Sequence, residues 1–201
     1  MENEKNKISR GVIIGSIFST IVVIGIVSLI LVSYFNAPKK VKYEELEGGS
    51  INLTYTDDEN SLVLSNLVSY KDEDGIKINK ADMYFDFSVS FALDEASKIE
   101  YELSVIPNKE NTVPVKNIKV YLEKQKSGEF TSTDEPKLLS LSNKNSTLGS
   151  QSGSMVIYNS STQKSKSENY RLRAWVDSSS LYTIQPTDVI SLMVEVHGKA
   201  S

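Results

Sequence analysis

The sequence predicts an antiparallel β-sandwich preceded by one transmembrane α-helix. Three features point there. Residues 11–35 form a long apolar run without a charge, and the stretches after residue 50 alternate apolar and polar residues with a period of two. No part of that later region carries the 3.6-residue apolar period of an amphipathic helix. A chain of 201 residues has room for a membrane segment and one ordinary domain.

The run from Gly11 to Phe35 is long enough to make roughly 37 Å of helix against a hydrocarbon core of about 30 Å. About sixteen of its positions are Val, Ile, Leu or Phe, worth about 6 kcal/mol toward insertion at about −0.4 kcal/mol each. A cleaved signal peptide would have a shorter apolar core and small residues at the cut, whereas Phe35 stands where a small residue would be needed before Ala37. The segment therefore reads as a retained signal-anchor whose partner is the lipid bilayer. Residues 1–10 are expected as a cytoplasmic tail. Lys5, Lys7 and Arg10 on one flank balance Lys39, Lys40 and Lys42 on the other, so the positive-inside count is tied. The abundance of Ser, Thr and Asn in the domain places it outside the cell membrane. Within the helix Gly11, Gly15 and Ser19 recur every fourth residue, a spacing that admits close helix contact in a homo-oligomer.

Residues 36–49 read as a charged stalk ending in Gly48-Gly49, and residues 50–201 as the sandwich. Ile51, Leu53 and Tyr55 give the first strand. A weaker run covers Leu62 to Val68. Met83, Phe85, Phe87, Val89, Phe91 and Leu93 make the longest alternation, followed by Ile99, Tyr101, Leu103 and Val105, ending at Pro107. Ile118, Val120 and Leu122, then Met155 to Tyr158, then Tyr170, Leu172, Ala174 and Val176, and finally Ile190 to Val196 complete about eight strands. That pattern implies a jelly-roll or immunoglobulin-like arrangement. Asp74-Gly75 suits a tight hairpin and Ser127-Gly128 a looser turn, while Asn143 to Gly153 and Ser160 to Glu168 read as exposed loops.

The residue inventory excludes much chemistry. There is no Cys, so thiolate nucleophiles, disulfides and lipobox acylation are unavailable, and the single His197 rules out multi-histidine metal sites. Glu100 and Glu102 sit about 7 Å apart on one strand face, which reads as a solvated face rather than a glycosidase pair. Asp57 and Asp58, and Asp72 and Asp74, are weak calcium candidates that fit acidic turns better, since Ile76 occupies the position of a third EF-hand ligand. No cofactor is expected. Beyond the membrane segment 24 acidic residues face 19 basic ones, so nucleic acid is not an expected partner.

Arg171, Arg173 and Trp175 are the most distinctive surface candidates, because they alternate with the buried set and share one outward face. They fit either a cross-strand ladder, paired with acids such as Glu100 or Glu102, or a binding surface for an extracellular protein or glycan.

Gly49-Ser50-Ile51-Asn52-Leu53 after the hydrophobic segment, followed by the long Phe85-to-Leu93 strand, distantly resembles the TasA and camelysin group of Gram-positive surface proteins. Asn169-Tyr170-Arg171-Leu172-Arg173-Ala174-Trp175-Val176-Asp177 resembles an element of uncharacterised membrane-anchored proteins of Firmicutes and Mollicutes. The resemblance implies a jelly-roll-like sandwich and a role in surface fibres or envelope structure. It departs at the front, since that group is secreted after signal cleavage. Camelysin's metallopeptidase site cannot be carried over to a chain with one histidine. The expectation is a non-enzymatic cell-surface protein that binds or scaffolds, with a structural fibre subunit as the alternative and a carboxylate-based hydrolase after that.

Overall fold

Period-two alternation becomes hydrogen-bonded strands wherever one face of the segment can be buried. The computed structural model describes residues 41–55, 61–80, 83–139 and 146–201. The expected span 11–35, with Gly11, Gly15 and Ser19, and the pair Asp57 and Asp58 lie outside these residues. Among the described residues no helix is long and apolar enough to cross a membrane.

Twelve strands are described: β1 (Val41–Leu46), β2 (Gly49–Tyr55), β3 (Ser61–Leu64), β4 (Ser69–Tyr70), β5 (Tyr84–Leu93), β6 (Ile99–Pro107), β7 (Ile118–Lys126), β8 (Glu129–Ser132), β9 (Lys137–Leu138), β10 (Met155–Thr162), β11 (Lys166–Asp177) and β12 (Ile190–Ala200). They form two sheets. The first runs β1-β2-β5-β11-β7-β8, with β4 beside β11 and β9 beside β7, and the second runs β10-β6-β12-β3. Every pairing is antiparallel except the short β4–β11 contact.

Ile51, Leu53, Phe87, Val89, Leu172 and Val120 point inward from the first sheet and meet Ile99, Leu103, Val105, Leu192 and Val194 from the second. Direct contacts tie the layers together: Tyr55 Oη donates to the Val194 carbonyl at 3.1 Å, and the Phe91 and Tyr101 rings lie 4.5 Å apart.

Several expectations need correction. The segment read as a stalk supplies β1, which pairs along its length with β2 and places Lys42 Nζ 3.5 Å from Glu195. Its charges fall on both faces, Lys42 and Glu44 on one and Glu45 on the other, as on a guarded edge strand, and they conceal its period. Asp74-Gly75 is no hairpin turn; it closes a one-turn helix, α1 (Asp72–Gly75). Ser127 and Gly128 form a tight two-residue turn in which both have positive φ, 51° and 92°. Ser160 to Glu168 is mostly strand, since β10 runs to Thr162 and β11 starts at Lys166. There the inward positions are the polar Thr162 and Glu168, so hydrophobicity does not mark the period.

Candidate functional site

Strand β11 lies at the centre of the first sheet, between β5 and β7. Its even-numbered side chains from Tyr170 to Val176 enter the core, so Ser167, Asn169, Arg171, Arg173 and Trp175 share the outward face, as the alternation predicts. That face is divided into a covered half and an open half.

The chain from β4 through α1 to Ile78 lies across the C-terminal half. β4 pairs with Val176 and Asp177, Arg173 Nε donates to the Ile78 carbonyl at 2.8 Å, and Lys119 Nζ reaches both Asp72 carboxylate oxygens at 2.8 and 2.7 Å. Gly75 sits directly on the Trp175 indole. Trp175 is 1% exposed and Arg173 5%, so neither belongs to a free surface. Arg173 also pairs diagonally with Glu123, which lies opposite Arg171 on β7. Burial pulls the Arg173 guanidinium below its ordinary value.

Arg171 is half-buried and marks the boundary. Its Nε and one terminal nitrogen each donate to a different Asp86 oxygen at 2.8 Å, and its guanidinium lies between the Tyr84 and Phe130 rings, 3.7 and 4.3 Å from their centres. The Asp86 hydrogen bonds raise the Arg171 pKa above its ordinary value. The arginines thus form the cross-strand ladder, but with Asp86 and Glu123 rather than with Glu100 or Glu102, which lie on the other sheet.

Beyond Arg171 the face opens into a groove of about 280 Å³ lined by Asp86, Ser88, Gln125, Phe130 and Asn169 over Phe87 and Tyr170. Register aligns Thr54 on β2, Ser88 on β5 and Asn169 on β11, and likewise Gln125 on β7 and Phe130 on β8, and the Asn169–Gln125 hydrogen bond joins the two sets into one row across the strands. Ser88 Oγ donates to Asn169 Oδ1 at 2.6 Å, Asn169 Nδ2 to Gln125 Oε1 at 2.8 Å, and Gln125 Nε2 to the Gly128 carbonyl at 3.2 Å. In the next row Ser90 Oγ meets Ser167 Oγ at 3.0 Å. These hydroxyls and amides can both donate and accept.

The chain matches no protein-family model, no curated protein and no solved structure.

Beneath the row, Glu168 points inward from β11 at the end of the core. Its Oε2 accepts from Tyr101 and Tyr170 at 2.5 and 2.7 Å, and its Oε1 accepts from Lys124 at 2.7 Å and pairs with Lys166 at 2.5 Å. Burial alone would raise this carboxyl, but those hydrogen bonds hold it at about 2. Burial pushes both tyrosine hydroxyls well above their ordinary range.

Other acidic candidates are accounted for differently. Asp72 is engaged by Lys119, and among the described residues no group of three His, Asp or Glu side chains is arranged to hold a metal. Glu100 is exposed, whereas Glu102 is fully buried and accepts from Ser146 Oγ, Thr147 N and Ser150 N at 2.6, 3.1 and 3.0 Å. Burial would raise the Glu102 carboxyl, yet these bonds lower it. His197 is partly buried, with Nε2 3.7 Å from Glu195.

Proposed function

We propose that this protein is a membrane-anchored cell-surface β-sandwich with a binding or scaffolding role and no catalytic one. Residues 11–35 serve as the anchor, with the N-terminus inside and the domain outside, on the strength of their length and lack of charge. The observation that carries the binding role is the open half of the β11 face. Next to a ladder fixed by a bidentate ion pair, Ser88, Asn169 and Gln125 present an unobstructed polar groove on rigid central strands. Nearby ionisable groups serve structure: Glu168 is saturated by two lysines and two tyrosines, and Asp86 by Arg171.

The test is co-sedimentation of the full-length chain, kept in detergent, with membrane-free, detergent-extracted envelope material of its host. The chain is expected to sediment with it, and Asn169→Arg, which fills the groove without entering the core, is expected to reduce the sedimented fraction at least severalfold. Undiminished sedimentation of that variant would remove the groove from the account.

A further inference from the structure

We infer that the occupant of the β11 groove is an uncharged glycan lying across the strands, an assignment that rests on the binding role proposed above. Charge comes first. Among the described residues lining the groove, Asp86 is the one acidic or basic side chain, and both of its oxygens are taken by Arg171. An anionic polymer therefore finds no free cation there, and the surplus of acidic residues in the domain opposes its approach. A basic peptide finds no free carboxylate.

Hydrogen-bonding capacity comes second. Thr54, Ser88, Asn169 and Gln125 carry hydroxyl or amide groups that donate and accept, which complements sugar hydroxyls that do the same. Ser88, Asn169 and Gln125 are already linked to one another, so their orientations are set before a ligand arrives.

Shape comes third. The row from Thr54 to Phe130 crosses four inter-strand gaps of about 4.8 Å, or about 19 Å, the scale of a short run of linked sugar rings. It ends on the half-buried Phe130 ring, braced by the Arg171 guanidinium and able to meet the C–H face of a sugar. A peptide recognised through its backbone would add to a sheet edge, whereas this groove lies at the sheet's centre.

The test is affinity electrophoresis of the full-length chain in detergent through gels containing a neutral β-glucan, a mannan, a chitin-derived polymer or, for contrast, poly-glutamate. Retardation by at least one neutral polymer is expected, unchanged in 0.5 M salt and weakened about tenfold by the Asn169→Ala/Gln125→Ala pair. Glu100→Ala on the other sheet should leave it unaltered. No retardation by any neutral polymer, retardation by poly-glutamate alone, or indifference to the double substitution would overturn the assignment. If envelope sedimentation still depends on Asn169 while every neutral polymer fails, the glycan assignment falls and the binding role remains. If sedimentation is also lost or independent of Asn169, both fall.

Discussion

At the scale of single residues, the covered half of β11 depends on Gly75. A β-carbon there would lie 2.4 Å from the Trp175 ring, so Gly75→Ala must lift α1 or displace the indole. The expected loss is about 1–3 kcal/mol in denaturant melts, with a red-shifted tryptophan emission as the ring meets water. Emission is a clean readout because Trp175 is the chain's one tryptophan. Glu168 supplies a second prediction. Its folded-state carboxyl titrates at about 2, below its unfolded value, so its contribution is present above about 4.5 and is lost as pH falls toward 2. Urea melts at pH 6 and pH 3 should show the parent losing more stability than Glu168→Gln, by up to about 2 kcal/mol, because at pH 3 the unfolded carboxyl is protonated while the folded one is still mostly charged. Parallel losses in the two proteins would show that the network with Tyr101, Tyr170 and Lys124 does not discriminate the charged form.

At the scale of elements, the β7–β8 turn is a prediction in itself. Ser127 at φ 51° occupies a left-handed position that Asn tolerates better, and Gly128 at φ 92° disfavours any side chain. Ser127→Asn should raise stability by a few tenths of a kcal/mol, and Gly128→Ala should lower it by about 1 kcal/mol, both read from thermal melts. Strands with apolar inward positions were legible in the sequence: β2, β5, β6, β7 and β12 fall within two residues of where Ile51, Met83, Ile99, Ile118 and Ile190 begin their alternations. Strands whose inward positions are polar or whose edges are charged were not, as Thr162, Glu168 and Lys42 show. The outward placement of Arg171, Arg173 and Trp175 was legible from period alone. That Trp175 is buried was not, because its cover comes from Gly75, a hundred residues earlier in the chain. Asn169 and Gln125 were equally invisible as a site, since only the pairing of β7 with β11 brings them within hydrogen-bond reach.

At the scale of the whole molecule, the main strand paths of the two sheets end, among the described residues, on four strands, and each of these is guarded. β3 and β8 have four residues each, β1 exposes Lys42 and Glu45, and β10 is bulged between Val156 and Tyr158. Purified protein concentrated in detergent should therefore form no fibres by electron microscopy, and regular fibres would favour the structural-subunit alternative. A groove on a central strand serves a surface protein only if the domain faces outward, so the proposed binding role depends on the orientation of the proposed anchor. Protease treatment of intact cells measures it most directly. The account predicts that residues after about 38 are digested on intact cells while the segment at 11–35 stays with the membrane. A domain that survives on intact cells and is cut only after lysis would contradict it.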